Sequence, residues 1–161
     1  MLKKFFSICL LLVATISFSQ AEKEIIPPYN IKTITFVQNN QNAIPIFRLG
    51  DNFSFQFDDL FGNEANYFYV ITHCDYDWKP SQLVKAEYLT GFDDQRIQEY
   101  TNSLNALQIY SHYRISFPNK LTRFRVSGNY MIKILNDDKE VVFSRKFILY
   151  EELVSVPMQV K

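Results

Sequence analysis

Phe53, Phe55 and Phe57 alternate with Ser54, Gln56 and Asp58. On a helix those rings would scatter around the axis, but on a strand they share one face. The run therefore predicts a strand buried on its aromatic side and wet on the other. The same bias runs through all 161 residues, which include 15 Phe and 10 Tyr against only 4 Gly. Aromatic side chains fit a pleated, half-buried surface. A chain this long also has enough material for one domain with its own core.

The remaining pattern extends this reading. Ile31 to Val37 alternates, with Ile31, Thr33, Thr35 and Val37 on one face and Lys32, Ile34 and Phe36 on the other. Ile44 to Leu49 is short, and Pro45 confines it to an edge or a strand start. Tyr67 to Cys74 is apolar on both faces, as a central or covered strand is. Gln82 to Leu89 reads as a loop or irregular strand, and Arg96 to Leu104 as a short helix. Leu107 to Phe117 alternates as a long strand ending at Pro118, and Thr122 to Val126 forms a shorter one. Gly128 to Leu135 and Val141 to Tyr150 make a hairpin across Asn136, Asp137 and Asp138, with Val141, Phe143, Phe147 and Leu149 inward. About seven closely spaced strands predict an all-β, immunoglobulin-like sandwich. Gly128-Asn129-Tyr130 supports that version, because such sandwiches fold a Tyr hydroxyl back onto the backbone near the start of the penultimate strand. Tyr130 is thus expected to be structural.

Residues 1–20 read as an address. Lys3 and Lys4 precede an apolar run from Phe5 to Phe18, followed by the small residues Ser19 and Ala21. This is the pattern of a secretory signal peptide, and the run is shorter than the ~20 residues a bilayer crossing needs. Residues 21–30 then form an extended lead-in containing Pro27 and Pro28, 31–152 the sandwich, and 153–161 a linker or the start of a following domain. The whole chain balances 17 basic against 17 acidic residues. Loss of the leader removes two lysines and leaves the rest slightly acidic, so no basic excess points to nucleic acid. Cys74 is then left without a disulfide partner, and its apolar setting predicts a buried structural thiol.

On a strand His73, Asp75 and Asp77 would share a face, a conceivable three-ligand metal set or a hydrolytic site, but no second ligand cluster accompanies them. Acidic residues capping a strand end account for the same run. Cys74 with His112 is formally a nucleophile–base pair, yet nothing adjacent would activate the thiol. The acidic doublets Asp58-Asp59 and Asp93-Asp94 read as solvated turns. Arg123, Arg125, Lys133, Arg145 and Lys146 read as a solvated sheet face or a patch for an acidic partner. Tyr76, Trp78 and Tyr88 could anchor a protein partner or stack on sugar, the latter making the chain a secreted carbohydrate-binding module. No cofactor, small-molecule substrate or catalytic residue is expected.

Several runs together carry a resemblance: Arg48-Leu49-Gly50-Asp51, Phe55 to Leu60, His73-Cys74-Asp75-Tyr76-Asp77-Trp78-Lys79-Pro80-Ser81, Glu87 to Phe92, Tyr110 to Tyr113, and Ser127-Gly128-Asn129-Tyr130. From about Ile31 to Val156 the chain resembles the N-terminal domain of the type IX secretion system plug protein of Bacteroidetes. The resemblance implies a non-enzymatic periplasmic protein that closes the periplasmic end of a large outer-membrane β-barrel translocon. It also implies further β domains after the first. His73, Asp75, Asp77, Trp78 and Tyr88 are the family-motif residues it offers as partner contacts.

Overall fold

The computed structural model describes residues 21–154, so the expected leader and the tail beyond 154 lie outside the described residues. Twelve strands follow in order: β1 (Ile31–Gln38), β2 (Gln41–Ala43), β3 (Ile46–Arg48), β4 (Phe53–Asp59), β5 (Phe68–Cys74), β6 (Leu89–Thr90), β7 (Gln95–Arg96), β8 (Glu99–Asn102), β9 (Ser111–Phe117), β10 (Arg123–Phe124), β11 (Gly128–Leu135) and β12 (Val141–Tyr150). Among the described residues a single helical turn, α1 (Lys85–Tyr88), precedes β6. One sheet has the order β2-β1-β4-β9-β8 and the other β3-β12-β11-β5-β7, with β10 and β6 forming a two-stranded ribbon. Pairing is antiparallel except between β3 and β12. The expected sandwich is present, with its long strands supplemented by short edge pieces.

The aromatic alternation builds the space between the sheets. Phe53, Phe55 and Phe57 are all buried, facing Phe143 and Phe147 of the opposite sheet. Strand β5, expected to be central or covered, lies between β11 and β7, with Tyr69, Ile71 and His73 buried and Phe68, Val70 and Thr72 only partly so. Pro45 precedes the edge strand β3, and its carbonyl accepts the Ile148 N–H at 2.9 Å.

Four details depart from the sequence reading. In β1, Ile31 and Phe36 are both buried although a regular strand would put them on opposite faces. A register shift between Lys32 and Thr35 inserts an extra residue, with Thr33 at φ 51°, and this bulge reverses the parity. Arg96 to Leu104 is not helical. It holds β7 and β8, and between them Ile97 enters the core as the chain passes from one sheet to the other. The long strand expected from Leu107 begins only at Ser111, leaving Leu107 and Ile109 exposed. Val141, expected inward, is 37% exposed, because the hairpin register shifts between Ile134 and Leu135.

Candidate functional site

Three of the motif runs, those around His73, Tyr88 and Tyr130, lie far apart in sequence and meet at one place. Strand β11 pairs with β5 so that Tyr130 stands opposite His73 and Asn129 opposite Cys74. The His73 ring packs against Tyr130 at 4.9 Å and Tyr88 at 5.6 Å between centroids. Its Nδ1 lies 2.8 Å from Ser81 Oγ, and its Nε2 lies 3.4 Å from the Ser127 carbonyl. Tyr130 donates its hydroxyl to the Val126 carbonyl at 2.7 Å. That is the backbone-directed Tyr bond expected of an immunoglobulin-like sandwich. Asn129 Nδ2 donates to the Asp75 carbonyl at 2.8 Å, tying the two motif runs together.

Gly128 is required by this junction. Its φ is +142°, and a Cβ there would stand 2.4 Å from His73 Nε2. Gly128→Ala is therefore expected to cost about 2–3 kcal/mol, from backbone strain plus overpacking. Adding His73→Ala should recover part of that loss, since it removes the clash but not the strained φ. A urea-unfolding double-mutant cycle checks this: a coupling term near zero would contradict the contact.

Burial also sets protonation here. Desolvation holds the His73 imidazole below its ordinary value, although the Ser127 carbonyl and the Asp75 charge oppose this. A pKa lower in the folded than in the unfolded chain means the unfolded chain binds more protons between the two values. Stability from His73 is thus present above the ordinary histidine value of about 6.5 and is lost as pH falls through it. Urea midpoints measured between pH 7.5 and 5.5 should fall with acid, and His73→Gln should flatten that slope.

The chain does not hold His73, Asp75 and Asp77 as a ligand set. Strand β5 ends at Cys74, and a turn follows in which Asp75 N–H donates to the Lys79 carbonyl and Lys79 N–H to Asp75 Oδ1, at 2.9 and 2.8 Å. Trp78 N–H also donates to the Asp75 carbonyl at 3.2 Å, closing a turn over residues 75–78, so the strand parity that would align the three side chains ends at Cys74. Asp77 instead pairs with Lys79 Nζ at 2.7 Å, and contacts with the Asp75 side chain and that ammonium hold its carboxyl below the usual range. Among the described residues, no three His, Cys, Asp or Glu side chains converge as metal ligands. Cys74 is 1% exposed, and burial pushes its thiol up to about 11. His112 is on the other sheet, bonded to Asp58 Oδ1 at 2.6 Å, so it forms no pair with Cys74.

The proposed aromatic platform does not assemble either. Tyr76 is exposed, but Tyr88 is buried beneath His73 and Tyr130. Lys146 Nζ sits over the Trp78 ring, 4.2 Å from its centroid. Arg125, Lys133, Arg145 and Lys146 are likewise engaged. Lys133 pairs with Glu22 at 2.7 Å, and Arg125 Nη1 donates to the Ala86 carbonyl at 2.7 Å.

Two features were missed in the sequence. Asp59, read as part of a solvated turn, is 1% exposed. Its Oδ1 accepts from Asn30 Nδ2 at 2.8 Å and the Phe61 N–H at 3.1 Å, and its Oδ2 from the Tyr67 hydroxyl at 3.0 Å. The alternation of Phe53, Phe55 and Phe57 already put position 59 on the inward face. The second feature is an apolar pole. Tyr29, Phe61, Leu104, Leu107 and Ile109 are all at least 49% exposed and lie at the end of the sandwich where β4 stops and β9 begins. Tyr29 and Phe61 pack edge to face at 5.6 Å, and Ile109 closes on Gly62.

The fold and its motif junction define an immunoglobulin-like sandwich in which the quoted motif residues chiefly hold strand ends together. The chain matches the family described as type 9 secretion system plug protein, first domain, over residues 31–151. It belongs to that family, and its role is therefore related to type IX secretion. A crystal structure of a hypothetical protein from Parabacteroides merdae aligns at 31% identity with a TM-score of 0.72, covering 81% of this chain. This chain spans 34% of that longer protein. The Pseudomonas fluorescens alkylpurine DNA glycosylase AlkC, bound to DNA containing an abasic site analog, aligns at 13% identity over 74% of this chain and 30% of that one. Its TM-score of 0.41 is too low to carry an argument. No curated protein matches the sequence. Among the described residues, no helix is long and apolar enough to cross a membrane.

Proposed function

We propose that this chain is the leading domain of a periplasmic, non-catalytic component of the type IX secretion system. Its leader exports it, and it docks on an outer-membrane translocon barrel protein to help close the periplasmic end. The observation that carries this reading is the family match across residues 31–151.

The apolar pole gives the reading a physical means. Exposed apolar clusters on a folded domain mark contact surfaces, and large rings supply most contact energy. The pole is also free of the chain's onward path. Strand β12 runs ten residues from Val141 beside the pole to Tyr150 at the opposite end. There the Tyr150 carbonyl accepts the Leu49 N–H at 2.8 Å. In a longer first-domain protein, following domains would leave from that opposite end. Closure itself is assigned to such a longer assembly, since this chain spans about a third of its solved relative.

An affinity-tagged chain, expressed in cells making the translocon, should co-purify with an outer-membrane barrel protein after detergent extraction. Phe61→Asp with Leu107→Asp should abolish that recovery while leaving the urea midpoint nearly unchanged. Recovery of the wild-type chain only as a free protein, alongside a longer family member that does bind, would overturn the reading for this chain.

A further inference from the structure

The lead-in before β1 is built into the sheet in an incomplete way. Strand β12 donates to β11 on one side, while the N–H groups of Ser144, Lys146 and Ile148 point to the other. Ile148 is satisfied through Pro45, next to edge strand β3. Ser144 and Lys146 lie beyond the reach of β3, and the lead-in covers them. Only one main-chain bond is made there, from the Ser144 N–H to the Ile25 carbonyl, at 3.3 Å. Side chains substitute for the rest: Lys146 N–H donates to Glu24 Oε1 at 2.7 Å, and Ile25 N–H to Ser144 Oγ at 2.8 Å.

Away from that edge the segment is fastened by charge and by one further main-chain bond, from the Glu22 N–H to the Trp78 carbonyl at 2.6 Å. Glu22 pairs with Lys133 at 2.7 Å, and Glu24 lies 4.0 Å from Arg145. Pro27 and Pro28 follow at once, and proline cannot donate to a ladder, so the lead-in cannot zip further along β12. The cover nevertheless matters. Cys74 and Met131 are at most 1% exposed on the outward side of this sheet, outside the aromatic core between the sheets. The charges felt by the Cys74 thiol include Glu22, Lys133 and Lys146, the groups at which the lead-in is fastened.

We propose that the Ser144–Lys146 edge of β12, flanked by Lys133 and Arg145, is a strand-addition site for an acidic extended protein segment, and that Glu22–Ile25 is its built-in, displaceable occupant. A partner segment with Glu at alternate positions and no proline would keep both ion pairs and add ladder bonds the lead-in lacks. Main-chain bonds then supply affinity and the basic flank supplies selectivity. The proposal stands on this edge alone and does not depend on the secretion reading.

Cys74 reports the state of the site. In the full chain, Glu22→Lys with Glu24→Lys should speed Cys74 alkylation by N-ethylmaleimide about tenfold, since two partly buried ion pairs become repulsions. The rate is read by mass spectrometry on the peptide containing Cys74, which separates it from Cys9. Lys133→Glu should open the site similarly, and combining it with Glu22→Lys should close it again. A synthetic Glu-Lys-Glu-Ile-Val-Thr-Val peptide should slow alkylation of the variant carrying Glu22→Lys and Glu24→Lys, which keeps the basic flank, and its Lys-for-Glu counterpart should not. Unchanged alkylation in the variants overturns the proposal. So does opening without peptide protection, or alkylation that rises only in step with a lowered urea midpoint.

Discussion

Phe53→Ala is expected to lower stability by about 4 kcal/mol, within the ~3–5 kcal/mol seen for large-to-small changes at buried aromatic positions. Phe53 is 5% exposed and lies where both sheets and the ribbon meet. Its ring stacks on Phe47 at 4.1 Å and packs against Phe36, Phe117, Phe124 and Phe147 at 5.4–6.4 Å. Those rings come from β1, β3, β9, β10 and β12, so a cavity here cannot be filled by moving one element. Phe53→Leu should lose much less, since it keeps most of the apolar volume. Urea unfolding measures both. Equal losses for Ala and Leu would show that the ring cluster collapses around the gap and does not depend on shape.

Asp59→Ala is expected to cost about 3 kcal/mol or more for a different reason. Removing the carboxylate leaves the Tyr67 hydroxyl, the Asn30 amide and the Phe61 N–H without their acceptor in a buried site. Each stranded donor costs roughly 1–3 kcal/mol, offset in part by no longer burying a charge. The same environment pushes the Tyr67 and Tyr113 phenols up, by burial first and by the Asp59 charge second; Tyr113 reaches about 12. Tyr67→Phe alone should be milder, and in the Asp59→Ala background it should cost almost nothing, because the donor it removes is already unpaired. Additive losses in that double-mutant cycle would contradict the bond between the two side chains.

These two sites differ in how readable they were. The Phe53 cluster followed from period-two alternation, which is a local property of the strand. Asp59 continued the same alternation, but its side chain looked like a turn residue, and composition obscured what parity had placed inward. The β1 bulge, the strand-switching Ile97 and the exposed Leu107 depend on pairing partners that no local window contains. The motif junction was legible as separate runs but not as one object. That His73 and Tyr130 touch is a consequence of β5–β11 register, set by residues on both strands. The expectation that Tyr88 joins Tyr76 and Trp78 on the surface failed for the same reason, since the α1 turn delivers Tyr88 inward.

The proposed docking role comes down to whether the apolar pole meets a barrel protein. A photo-crosslinking amino acid placed at Leu107 in the full chain, in cells producing the translocon, tests this directly. The account predicts a crosslink to an outer-membrane barrel protein from Leu107 and none from Tyr76, at the other end of the domain. A crosslink from Tyr76 alone, or none from Leu107 in cells where the barrel is present, would contradict it.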